Sequence, residues 1–178
     1  MSTGIPHKRL FLISLFGLAF GVSSLPAFAN AYLKAWPPNR PIPELKLPDL
    51  EEKPWDLAAL RGKVIVLNFW ATWCESCVEE VQFLNELSED NVGKGKLVIL
   101  GVNFKESPSL VRQFSMEHKF AYPVLLDRSG DAFKKWGDGI LPMTVLIDRT
   151  GKPRWKITGA IDTENKEFRQ TLEKLLKQ

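Results

Sequence analysis

The stretch Val64-Ile65-Val66-Leu67-Asn68-Phe69-Trp70-Ala71-Thr72-Trp73-Cys74-Glu75-Ser76-Cys77 limits what this chain can become more than any other. Its apolar run is rich in β-branched and aromatic residues and reads as a buried strand. Helical periodicity follows it: Val78, Val81, Leu84 and Leu87 recur every three residues, with Phe83 alongside and Glu79, Glu80, Glu86 and Glu89 between them. Cys74 and Cys77, the only cysteines of the chain, therefore stand where a strand hands over to the first turn of a helix.

What precedes this stretch reads as three parts. Residues 1–29 have the form of a secretory signal. His7, Lys8 and Arg9 make a basic start, Leu10 to Val22 is apolar apart from Ser14, Gly17 and Gly21, and Ala27-Phe28-Ala29 is a small-x-small cleavage site after Pro26. An uncleaved membrane anchor is the alternative, and Ser23, Ser24 and Pro26 argue against it. Both place the folded part outside the cytoplasm, in an oxidising compartment. Residues 30–43, with Pro37, Pro38, Pro41 and Pro43, read as an extended linker with little structure of its own. Residues 44–178 read as one domain. Removing residues 1–29 takes away Lys8 and Arg9 and no acid, which lowers the net charge from +3 to +1. Nothing in that balance suggests a nucleic-acid partner.

Within the domain, residues 44–50 alternate as a short edge strand, where Pro48 is tolerable. Residues 56–60 form a short helical turn closed by Arg61-Gly62, and Gly93 and Gly95 end the loop after the helix that follows the cysteines. A second strand spans 96–104, and Ser107-Pro108 starts a helix. A third strand spans 123–127, and a short helix 131–136. A fourth strand spans 141–148 and turns through Asp148-Arg149-Thr150-Gly151 into a return strand over 154–158. A last helix places Phe168, Leu172, Leu175 and Leu176 on one face, with Asp162 as its expected cap. Alternating strands and helices imply an α/β fold with a parallel core covered on both faces. The terminal hairpin makes the sheet mixed, and sites in such sheets form at the carboxyl ends of strands.

A disulfide between residues this close closes a minimal loop and stabilises little. The pair is better suited to reversible redox chemistry. Free N–H groups and the macrodipole at the helix start favour a thiolate on Cys74. Cys74 is then the attacking residue and Cys77 the resolving one. Tetrahedral zinc needs four ligands, and beyond the cysteines and the leader the chain has only His118. Covalent haem attachment needs histidine after the second cysteine, and residue 78 is valine. No metal site or added cofactor is expected. Glu75 places a carboxylate beside the Cys74 thiolate and opposes its formation. That lowers the reduction potential and points toward a reductant.

The segment Asn68 to Cys77 resembles the active-site segment of the thioredoxin superfamily, and more narrowly that of the extracytoplasmic TlpA/ResA group of thiol-disulfide oxidoreductases. The likeness spans about residues 44–176. It includes Leu60-Arg61-Gly62-Lys63-Val64, Leu141-Pro142, and Val145-Leu146-Ile147-Asp148 with Gly151. It implies a thioredoxin-like fold: a central mixed sheet flanked by helices, with an N-terminal β extension. It also implies a cis Leu141–Pro142 bond facing the cysteines and offering backbone groups to a bound peptide. Glu80 matches an acidic position associated with proton handling, the alternative being a solvated helix-face glutamate. Trp73 is expected over the site, the alternative being core packing. Asn68 stands where cytoplasmic thioredoxins carry a buried aspartate. Ser76 and Met143 depart from the usual pattern at positions expected to border the substrate surface. Gln82 replaces a frequent proline, and Glu51-Glu52 replaces a glycine turn.

The resulting expectation is an exported, monomeric protein-disulfide reductant. Its partners are protein thiols and disulfides, its electrons come from a membrane thiol-disulfide donor, and cytochrome c maturation is the leading pathway. Its alternatives are an oxidase or isomerase of the same fold, a thiol peroxidase of the peroxiredoxin type using Thr72, and a binding module without a redox cycle.

Overall fold

β4 (Val64–Trp70) is buried at every one of its seven positions. Its side chains alternate between two apolar layers, as a pleated strand requires. Ile65, Leu67 and Phe69 enter one layer with Leu100, Val102, Val145 and Trp136. Val64 and Val66 enter the other with Leu84, Ile99, Phe168 and Leu172. Full burial of one such side chain stabilises by about 1.5–3 kcal/mol, so this strand anchors the domain.

The computed structural model describes residues 31–91 and 94–178 together with Met1. Apart from Met1, the leader expected over 1–29 lies outside the described residues, as does the loop glycine Gly93. β4 is flanked by β5 (Leu97–Phe104) in parallel and by β7 (Met143–Ile147) in antiparallel register. β6 (Val124–Asp127) extends the parallel side. β8 (Pro153–Thr158) and β1 (Tyr32–Ala35) complete the antiparallel side. The spatial order is β1-β8-β7-β4-β5-β6. α1 (Glu75–Glu89) and α4 (Lys166–Lys177) supply Phe83, Leu84, Phe168 and Leu172 to one face. α3 (Asp131–Trp136) covers the other face with Phe133 and Trp136. α2 (Pro108–Glu117) packs Val111 against a third cluster at the carboxyl end of β4, which also holds both cysteines. Ser107 caps α2 by accepting from the Leu110 N–H, as the Ser-Pro pair predicts.

β2 (Lys46–Pro48) and β3 (Pro54–Asp56) form a separate ribbon, with Pro48 paired to Pro54 at its tip. Asp49 organises the turn between them. It accepts from the N–H groups of Glu51 and Lys53 and from the Trp55 indole. Glu52, in the turn where glycine is usual, adopts φ of 59°. That left-handed geometry is strained for a glutamate. A 3-10 turn, Leu57–Leu60, follows and is capped by Asp56.

Two expectations are corrected here. Of the linker expected over 30–43, residues 31–43 are described and do have structure of their own. Tyr32–Ala35 pairs with β8 from Tyr32↔Thr158 to Ala35↔Trp155. Trp36 is buried against Trp136, ring centroids 5.6 Å apart, and Arg40 lies over its outer face. The physical reason is the edge of β8, whose backbone groups need a partner. Pro37 and Pro38 stop the pairing beyond it. The second correction is the cap of α4, which is Asn165, accepting from the Phe168 N–H at 2.9 Å. Asp162 instead accepts from the Glu164 N–H, which inserts one more turn before the helix.

The docking of this first strand is testable. Trp36→Ala should cost about 3–5 kcal/mol in urea unfolding, as large aromatic truncations in cores do. A stability equal to that of the wild type would show that the segment is not part of the folded unit.

Candidate active site

Cys74 occupies the N-cap position of α1, with the extended backbone geometry (φ −93°, ψ 98°) of a cap residue. Its carbonyl accepts from the Cys77 and Val78 N–H groups, which turns the chain into the helix. One turn brings the two residues to a Cα separation of 5.2 Å, and their sulfurs are joined as a disulfide. Cys77 is fully buried, whereas Cys74 keeps 7 % of its surface. The outer sulfur is thus the one a partner can reach. Ser76 Oγ lies 3.6 Å from Cys74 Sγ. Glu75 is exposed and its side chain makes no hydrogen bond among the described residues.

Trp73 is 67 % exposed, so it is not a core residue; it stands on the surface next to Cys74. The Leu141–Pro142 bond is cis. Pro142 shares a cavity of about 740 Å³ with Ser76, Glu79, Glu80 and Ile140, and Tyr32 of β1 also lines it. The Pro142 carbonyl accepts from the Gly159 N–H at 3.0 Å. Leu141 packs on the cluster that contains the cysteines. Met143, expected at the substrate surface, is only 1 % exposed. It sits opposite Phe69 as the first residue of β7, and the pleat turns its side chain into the core.

Glu80 follows Cys77 by three residues, which places both on one face of α1. That face is the buried one, and the glutamate is 1 % exposed. Oε1 accepts from the Asn68 amide at 2.5 Å and Oε2 from the Ile161 N–H at 3.1 Å. The same Asn68 amide also donates to Thr144 Oγ1. Burial pushes the Glu80 carboxyl up from 4.5 to about 8, and the Ile161 and Asn68 hydrogen bonds only partly offset it. The solvated alternative for this residue does not describe its position.

One contact has no signal in the sequence. Glu106, in the loop after β5, accepts from the Thr72 N–H at 2.8 Å and from the Thr72 hydroxyl. It also accepts from the Asn103 amide at 2.7 Å. A carboxylate 34 positions away in sequence thus holds the approach to Cys74. A lone glutamate before Ser107-Pro108 gives no hint of that.

The fold and this arrangement are those of a known group. Residues 37–175 match the Redoxin family. The chain belongs to the Redoxin family. It is 37% identical over 133 residues to the thiol-disulfide oxidoreductase ResA of Geobacillus thermodenitrificans, covering 75% of each chain. It is 33% identical over 130 residues to the thiol:disulfide interchange protein DsbE of Vibrio cholerae, covering 71% of this chain and 68% of that one. The exposed lipoprotein thioredoxin of Streptococcus pneumoniae superposes with a TM-score of 0.66 at 25% identity, over 75% of this chain and all of the other. This member of the Redoxin family is a thiol-disulfide oxidoreductase of the ResA and DsbE type, with Cys74 and Cys77 as its redox pair.

The buried carboxyl carries a pH signature. Between pH 4.5 and about 8 the unfolded chain has released the Glu80 proton while the folded chain still holds it. The Glu80 contribution to stability is therefore fully present below pH 4.5 and is lost as pH rises to about 8. Urea unfolding of the oxidised protein across that window should show this slope in the wild type, and Glu80→Gln should flatten it. An equal slope in both would place the titration elsewhere.

Proposed function

We propose that this oxidoreductase is an exported protein-disulfide reductant, with the Cys74-Glu75-Ser76-Cys77 couple as its only redox group. The observation that carries the reading is the inward order Cys74, Cys77, Glu80 along one helix start. It runs from a reachable sulfur to a buried one to a carboxyl that titrates near neutrality.

The cycle starts from the reduced pair. Cys74 as thiolate attacks a substrate disulfide, forms a mixed disulfide and releases one substrate thiolate. Glu80 as carboxylate takes the Cys77 proton. The Cys77 thiolate attacks the Cys74 sulfur, which forms the Cys74–Cys77 disulfide and releases the second substrate thiolate. Two electrons pass from the pair to the substrate. The released thiolates take up protons, one of them returned by Glu80. A membrane donor of the thiol-disulfide type returns the pair to its reduced form.

The substrate is a protein thiol or disulfide that docks beside Trp73 and along the cis Leu141–Pro142 segment. No hydrogen bond among the described residues uses the Leu141 backbone, which leaves it free to pair with an extended peptide. Ser76, in place of the usual proline, adds a hydroxyl beside the attacking sulfur. Apocytochrome c and its assembly proteins are the leading substrates. Export is supported by the leader-like residues 1–29. The enzyme acts as a monomer. The peroxidase reading is disfavoured because the Thr72 hydroxyl is committed to Glu106.

Two measurements test this. Cys77→Ala should accumulate mixed disulfides on Cys74 that dithiothreitol releases. Capture of haem-handling proteins supports the pathway, and capture of many unrelated secreted proteins points to general isomerisation. The reduction potential should lie nearer to the roughly −270 mV of reducing thioredoxins than to the roughly −120 mV of the strongest periplasmic oxidants. A value at the oxidising end would reverse the direction assigned from Glu75.

A further inference from the structure

The antiparallel edge of the sheet carries charge that the redox chemistry does not use. Lys34 of β1 stands opposite Lys156 of β8 in the pairing register. Like charges facing each other across two strands cost stability. Asp138 accepts from Lys156 and lies 3.6 Å from Arg40. Lys34 makes no ion pair among the described residues and lies over the Tyr32 ring, 5.1 Å from its centroid. Edge lysines keep a strand from pairing with another chain, which accounts for Lys34 alone.

The positive charge continues past the strand. Beyond Ala35 a hollow of about 500 Å³ is lined by Arg40, Lys152 and Arg154 together with Trp36, Trp155 and Ile42. No carboxylate is among its lining residues. β8 has a bulge here: Leu146 faces Trp155 and Ile147 faces Pro153, so Arg154 has no partner on β7. The Arg154 side chain is 51 % exposed. Asp148 lies 3.6 Å from it, but accepts from the Thr150 and Lys152 N–H groups of its own turn. The Lys152 side chain is exposed and makes no ion pair among the described residues. Glu167 and Lys174 line a neighbouring hollow and cancel in charge.

Ile42 is the apolar counterpart of these cations. It is 49 % exposed between Pro41 and Pro43. The fixed φ of the flanking prolines leaves that short segment little freedom to lose on contact. An exposed apolar side chain ringed by cations matches a surface whose boundary is anionic and whose interior is oily.

We propose that this strip docks on a bilayer of anionic phospholipid. The lipid phosphates meet Lys34, Arg40, Lys152 and Arg154, and Ile42 enters the boundary between headgroups and acyl chains. The other end of the strip reaches the cavity beside the cysteines, which Tyr32 and Thr158 line together with Ser76 and Pro142. β1 is about 10 Å long. Docking by its basic end therefore sets that cavity close to the bilayer without covering it. Such a placement suits a redox pair that is recharged from within the membrane.

Hydrogen exchange of the native protein on vesicles of phosphatidylglycerol and of phosphatidylcholine tests the docking. A retained leader would tether the chain to both lipids equally, so only contact with lipid charge separates them. Amides over 32–42 and 152–156 should exchange more slowly on phosphatidylglycerol, and roughly 0.5 M sodium chloride should abolish the difference. Lys34→Glu combined with Lys152→Glu should fold, because the new carboxylate at 34 faces Lys156. Each cation lost weakens attachment about fivefold, so the lipid concentration for half-maximal protection should rise at least about 25-fold. Ile42→Ser should raise it as well, with the salt dependence unchanged. Equal exchange on the two lipids overturns the proposal. So does equal protection by inorganic phosphate without vesicles, which would mark a small-anion site instead. A double variant that keeps both its unfolding midpoint and wild-type protection also overturns it. None of these readouts involves the cysteines, so failure here and failure of the assigned reductant function are separable.

Discussion

Burial of β4 on both faces is the constraint on which the rest depends. A strand with no wet face must be covered by helices on each side and flanked by strands on each edge. α1, α4 and α3 meet the first demand, and β5 and β7 the second. The chain can leave such a strand only at its ends. At the carboxyl end the polypeptide turns directly into α1, and Cys74 is the residue at which it turns. The site is therefore a consequence of how the core closes, held at the start of a helix whose dipole favours negative charge.

One polar exception interrupts that apolar layer. Asn68 points to the α1 face of β4 and ties three separate segments together: Glu80 on α1, Thr144 on β7 and, through Glu80, the Ile161 backbone before α4. Each partner satisfies the others, which is what permits a carboxyl to lie this deep. The same satisfaction leaves Glu80 without a cation, so burial dominates and its proton is held to near-neutral pH. Core architecture and proton chemistry are here the same set of hydrogen bonds. On the other side of Cys74, Glu106 holds Thr72, so the reactive turn is braced from two directions.

Much of this was legible along the chain where the signal is local. β4, the cysteine pair at a helix start, the Ser107-Pro108 start of α2 and the hairpin around Gly151 all follow from runs, caps and turns within a few residues. β1 was not legible, because Tyr32–Ala35 is short and mostly exposed and becomes a strand only through pairing with β8. The α4 cap is not legible because Asp162 and Asn165 are both competent, and only the inward position of Phe168 decides between them. The family pattern puts Met143 at the substrate surface, yet register with Phe69 sends it inward. Glu80 read equally well as a surface glutamate, since its spacing with Glu79 and Glu86 resembles a solvated stripe.

The sequence by itself determined the strand, the helix that follows it and the two sulfurs at their junction, because apolar periodicity and capping act between near neighbours. The tertiary structure decided which sulfur is reachable, that Glu80 is buried against Asn68, and that Glu106 braces the approach. Those facts depend on desolvation and on contacts between residues far apart in the chain. A carboxylate carries the same letter in water as in a core; only the fold sets how much its charge costs. At residues 64–77 the chemistry is therefore written locally, and its tuning is not.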